Sequence, residues 1–170
     1  MQFLFHYIDM FTKWLKDIGL PGFIDHYPWI IPGSQAVHFF GLAILFGIIG
    51  LLDLRMMGFL KGLPIRPLTR LIPLAMAGFA VNVVTGFILF AGAPYMFAHN
   101  IAFEWKMVFI MVAGINALVF LVSGLQHKCE ALGPNDDVPI GAKAVALVSM
   151  TMWICVMFWG RMLPFLGNAF

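Results

Sequence analysis

Charge is scarce in this chain. Asp, Glu, Lys and Arg make up only 11% of its 170 residues, less than half of the ~25% usual in soluble domains. Hydrophobic residues reach 62%, and a chain of 19.0 kDa has too small an interior to hide that much apolar surface from water. The formal net charge is +2, which leaves no electrostatic footprint for DNA or RNA, so no nucleic-acid partner is expected. Cys129 and Cys155 are the two cysteines, too few for a disulfide framework. The sequence contains no His-Glu-x-x-His, Walker loop, dinucleotide fingerprint or serine-nucleophile elbow. It also lacks the Cys-x-x-Cys-His that covalent haem c requires.

What the chain does have is uninterrupted apolar length. Residues 26–52 carry no Asp, Glu, Lys or Arg, and neither do 71–103, 107–127 and 144–160. A helix needs roughly 20 mostly apolar residues to cross ~30 Å of hydrocarbon, so four intervals give four spans. Their expected bounds are about 34–56, 69–92, 103–125 and 142–164. Pro32-Gly33-Ser34 punctuates the first, with Ser34 as its cap. Pro64 and Pro67 lie in the next loop, Pro94 closes the second span, and Pro134 to Pro139 precede the fourth. A β-barrel would need alternating segments of about ten residues, whereas Phe39–Leu52 and Met107–Val122 are apolar on all sides. The expected fold class is therefore all-α, a transmembrane four-helix bundle over residues 21–170.

Residues 1–20 read differently. Phe3, Phe5, Ile8, Phe11, Leu15 and Ile18 recur at helical spacing, and Asp9, Lys13, Lys16 and Asp17 occupy the other side. Tyr7 and Trp14 suit the headgroup level, so this segment is expected to be an amphipathic interfacial helix, or one docked on a partner subunit. Arg55, Lys61, Arg66 and Arg70 make the 53–70 segment basic, while 92–105 has no Lys or Arg. The positive-inside tendency puts the basic segment in the cytoplasm and both termini outside. The expected location is a bacterial inner membrane, crossed several times.

Polar residues inside such spans need a reason, because an unsatisfied polar group in hydrocarbon costs several kcal/mol. His38 lies about one turn inside span one. It reads either as a hydrogen bond across the bundle, as a haem ligand, or as a quinone or proton site. At 1.5 Å per residue, Thr85, Lys106, Trp159 and Arg161 come to a similar depth on the other three spans. Turned inward, the five would form one polar pocket near the outer face, with Lys106 and Arg161 neutralising haem propionates. Snorkelling of the two cations to headgroups is the plainer reading. His99, in the outer loop, is the best-placed second axial ligand, ahead of His26 and His6, and His127 belongs to the other end. Asp53 is expected to pair with Arg70 near the cytoplasmic ends of spans one and two. Asn82, Asn116 and Ser149 read as interhelical hydrogen bonds. The twelve methionines read as flexible packing groups rather than copper ligands.

His38, Gly47, Asp53-Leu54-Arg55, Arg70 with Pro73, Gly78-Phe79, Thr85-Gly86 with Leu89-Phe90, Phe103 with Lys106, Asn116, Ser149, Trp153 and Gly160-Arg161 together carry a resemblance. Over about residues 29–165, the chain resembles an uncharacterised bacterial family of small four-helix integral membrane proteins. More distantly, it is similar to protoporphyrinogen oxidase-type and copper-resistance-type membrane proteins, through His38, Arg55 and Lys106. The oxidase type binds haem b, which the resemblance extends to this chain, with His38 as ligand. The oxidase type carries further histidines where this sequence has Trp105 and Asn116. The expected function is a membrane redox component, cytochrome b-like or quinone-linked, in electron transport. The alternatives are an accessory subunit of a larger membrane complex, a homo-oligomer enclosing a pathway, or a small transporter.

Overall fold

The computed structural model describes the backbone of residues 2–133 and 135–166, with side chains from Tyr7 onward. The side chains of Phe3, Phe5 and His6, and Pro134, lie outside the described residues. Four long apolar helices dominate. They are α3 (Ile30–Met57), α5 (Ile72–Gly92), α7 (Ile101–Val122) and α9 (Ile140–Leu166). Short helices join or precede them: α1 (Gln2–Asp17), α2 (Leu20–His26), α4 (Ile65–Thr69), α6 (Pro94–Ala98) and α8 (Leu125–Glu130). Each of the stretches Ile30–Met57, Ile65–Gly92, Ile101–Val122 and Ile140–Leu166 is long and apolar enough to cross a membrane.

Several boundaries move for local reasons. The first long helix begins at Ile30 rather than near 34, so Ser34 is a buried residue inside it and not its cap. Pro32 is tolerated because the first turn has no use for its missing N–H. The third long helix ends at Val122, because Gly124 takes the left-handed conformation at φ 70°. The N-terminal helix stops at Asp17, before Gly19 at φ 75°. Pro21 then sits in the first turn of α2.

The chain runs up and down. One end, the terminal side, carries α1, α2 and α6, and the last turns of α9. The other, the basic side, carries α4, α8 and the loops around them. Packing follows the order α5, α3, α9, α7, so α5 and α7 are the outer members and share no extensive contact. Phe90 of α5 and Phe103 of α7 do stack, with ring centroids 5.6 Å apart, near the terminal side.

Two kinds of packing hold this arrangement. Between α3 and α5, backbones meet at Gly41 and Gly78, where a Cβ on either would come within 3 Å of the other's carbonyl oxygen. At the basic side, Leu52, Met56, Ile65, Phe120, Cys129, Val138, Ala142 and Ala146 form the buried core. Elsewhere the long helices present apolar surface outward, as with Phe39, Phe40, Val83, Val84, Met111, Ile115 and Leu118. That is the reverse of a soluble bundle and suits a lipid surround.

Candidate functional site

On α3, Gly41 and Leu45 face α5, and His38 lies one turn before Gly41. The turn places its imidazole beside Thr85 and Gly86 of α5. His38 Nδ1 lies 2.8 Å from Thr85 Oγ1. The Thr85 hydroxyl donates its one proton to the Val81 carbonyl at 2.7 Å, a back-bond common for threonine in helices. Its oxygen is then the acceptor, and His38 Nδ1 must carry the hydrogen. The Asn82 backbone, another acceptor, also faces the ring. With Nδ1 protonated, Nε2 of the neutral ring presents its lone pair, and no described residue bonds it.

Asn82 fixes the same stretch of α3 from the α5 side. In the amide orientation that satisfies both atoms, it donates to the His38 carbonyl at 2.7 Å and accepts from Leu42 N at 3.1 Å. Gly86 lies beside the ring, where a Cβ would stand in ordinary contact, 3.6 Å from His38 Cε1.

Lys106 comes from the first turns of α7. It is half-buried and has no carboxylate within salt-bridge distance among the described residues. Its stem lies across Gly160 of α9, where a Cβ would meet Nζ at 3.7 Å. His38 and Thr85 are thus brought together with Gly86 beside the ring, while Lys106 lies against Gly160 of α9 toward the same end of the bundle.

The structure does not gather the other expected members there. Trp159 stacks on Trp105 of α7, with centroids 6.2 Å apart. Arg161 is exposed and lies over the Phe165 ring. His99 turns to the N-terminal helix, where Nε2 meets Asp9 Oδ1 at 2.9 Å and its ring packs on Tyr95. His26 packs against Tyr27, and His127 is exposed on α8 beside Glu130. Among the described residues no group of three His, Cys, Asp or Glu could hold a metal ion.

The basic side holds a second polar set. Asp53 does not pair with Arg70, which is exposed. The Asp53 carboxyl is 2% exposed and lies against Ser149 of α9, and its Oδ2 has no described partner. The helix turns Asp53 toward α9, whereas Arg70 precedes α5 on another side. Arg55 is fully buried. Its Nε donates to the Leu63 carbonyl at 2.6 Å and Nη2 to Gly133 at 3.4 Å. Sequence reasoning missed this role, because loop carbonyls have no signature in side-chain identity. Burial pushes the neighbouring Cys129 thiol up from its ordinary value, as expected of an inert structural cysteine. Asn116 Nδ2 donates across helices to the Val145 carbonyl at 3.0 Å.

These features define a four-span helical protein of membrane type, with a histidine-centred polar cluster toward the terminal side. No family model, curated protein or solved structure matches the chain.

Proposed function

We propose that this chain is a redox component of a bacterial inner membrane, with His38 at a site for haem b or a quinone near the outer face. The observation that carries the reading is the threonine-fixed imidazole, whose Nε2 lone pair has no described partner. A lone pair held by a second hydrogen bond through the opposite nitrogen is what a metal-ligating histidine needs. The same lone pair accepts a quinol hydroxyl. Lys106, which has no carboxylate in reach among the described residues, supports either ligand, by neutralising a haem propionate or by donating to a quinone oxygen. An ionisable residue inside a span is a functional-site candidate by default. The distant likeness to haem b-binding oxidase-type proteins points the same way, and the bacterial four-helix family is proposed as its group.

Lys61, Arg66, Arg70 and Lys128 all sit at the basic side, which this reading puts in the cytoplasm, with both termini outside. A second reading, an accessory subunit or homo-oligomer, is favoured by the apolar edges of α5 and α7, which another chain could cover.

The test is an absorption spectrum of detergent-purified protein, oxidised and dithionite-reduced, with solvent extraction for quinone. The reading expects a Soret band or a co-purifying quinone. His38→Ala should abolish it and His127→Ala should leave it. Absence of both chromophore and quinone sinks the redox proposal, and a colourless stoichiometric subunit of a larger assembly would replace it.

A further inference from the structure

The N-terminal helix α1 has three faces, not two. Ile8, Thr12 and Leu15 point into the protein, and Thr12 and Leu15 are buried. Tyr7, Met10, Phe11, Trp14 and Ile18 form an exposed apolar face. Asp9, Lys13 and Lys16 lie on the remaining side, which turns toward α6. There a groove of about 210 Å³ opens between the two helices, lined by Asp9, Thr12, Lys13, Lys16 and Tyr95.

The polar groups of this groove are unequally committed. The Asp9 carboxylate already receives His99 Nε2 at 2.9 Å. The Thr12 hydroxyl donates to the Asp9 carbonyl at 2.9 Å. Lys16 holds its ammonium 5.4 Å from the Tyr95 ring centroid, a cation–π position that fixes the charge without neutralising it. Neither Lys13 nor Lys16 has a carboxylate partner among the described residues. The groove therefore offers two ammonium groups, while its one acid is occupied by a histidine.

We propose that this groove binds the phosphate-bearing headgroup of an anionic phospholipid, and so fixes α1 to the outer rim of the bundle. Free phosphate would meet the same two cations. The lipid is preferred because the exposed apolar face of α1 begins beside Lys13 with Met10 and Trp14, so one molecule can place its headgroup between Lys13 and Lys16 and its chains beside Met10 and Trp14. The proposal rests on α1 lying in the interface and is independent of the redox reading.

The experiment uses the full chain in nanodiscs of phosphatidylcholine with a minor fraction of phosphatidylglycerol. Retained lipid is counted by native mass spectrometry for the parent and for the Lys13→Gln, Lys16→Gln double variant. Both positions are exposed, so the variant should fold, as circular dichroism would verify. The parent should retain phosphatidylglycerol over phosphatidylcholine, and the preference should weaken by about 5-fold per lysine removed. Equal retention of the two lipids by the parent overturns the proposal, as does an unchanged preference in the double variant. Displacement of the lipid by an equal concentration of inorganic phosphate would assign the groove to a free anion instead.

Discussion

The guanidinium of Arg55 has no exposed surface, yet none of its described contacts is a carboxylate. Its hydrogen bonds go to carbonyls of two separate loops, at Leu63 and Gly133, and Asn135 N adds a backbone bond to the Lys61 carbonyl at 2.9 Å. One side chain thus ties the α3–α4 connection to the α8–α9 connection. Hydrogen bonds from a charged donor are worth about 1.5–3 kcal/mol each, and the longer of these two contributes less. Arg55→Met keeps most of the apolar stem and removes both bonds, so it should cost about 2–4 kcal/mol. In a detergent thermal melt it should lower the midpoint by several degrees, whereas Arg66→Met, at an exposed position, should not. At this scale the sequence was legible in part. His38 and Thr85 stand out as polar residues at matching depth, and they do meet. Asp53 stood out equally, but the helical turn decides its partner, and charge complementarity alone pointed to Arg70.

Among the elements, the α3–α5 pair bears most directly on the site. Its crossing depends on two glycines, because Gly41 and Gly78 let the backbones approach more closely than any side chain allows. A Cβ on Gly41 would stand 2.6 Å from the Asn82 side-chain amide and 2.9 Å from the Gly78 oxygen. The second is backbone and cannot swing aside. Gly41→Ala should therefore separate the helices and cost about 1–3 kcal/mol. It should also loosen the His38–Thr85 bond, seen as a change in the imidazole NMR signals. Gly86→Ala meets only an ordinary contact at 3.6 Å and should leave both stability and signals near those of the parent. The spans themselves were legible, since a charge-free run of sufficient length has few alternatives. The short helices α2, α6 and α8 were not, because each is shorter than the window in which helical periodicity shows, and α6 begins at Pro94, which reads as the close of the second span.

The α8–α9 loop carries an ion-pair network of its own. Asp137 meets Lys61 at 2.8 Å and Lys143 at 3.6 Å. The hydrogen bond and charge of Lys61, with Lys143 behind it, hold its carboxyl below the ordinary value of 3.8. A carboxyl depressed in the folded state stabilises above its unfolded value, and the contribution is lost as pH falls through the folded one. The melting difference between parent and Asp137→Asn should thus be constant from about pH 5 to about pH 8. It should close at a pH below 3.8.

Taken whole, the molecule is an open arc of four helices rather than a closed ring. With α5 and α7 at its ends, the inner residues Phe79, Asn82, Lys106 and Ile110 stay half-buried. Depth arithmetic cannot reveal this, since it says how high a residue sits and nothing about which helices touch. The opening has a consequence for the proposed site, because a hydrophobic ligand dissolved in the bilayer could reach His38 sideways, between α5 and α7. The stacked Phe90 and Phe103 span that gap near the terminal side. In a background with Cys129 and Cys155 replaced by Ala, Phe90→Cys with Phe103→Cys can be joined by a short bifunctional thiol reagent. If ligands pass through the gap, the cross-linked protein should take up haem or quinone from vesicles at least about 10-fold more slowly than the same protein before reaction, an added barrier of ~1.4 kcal/mol. Either single-cysteine variant, treated alike, should be unaffected. Uptake at an unchanged rate would exclude passage between α5 and α7 at Phe90 and Phe103.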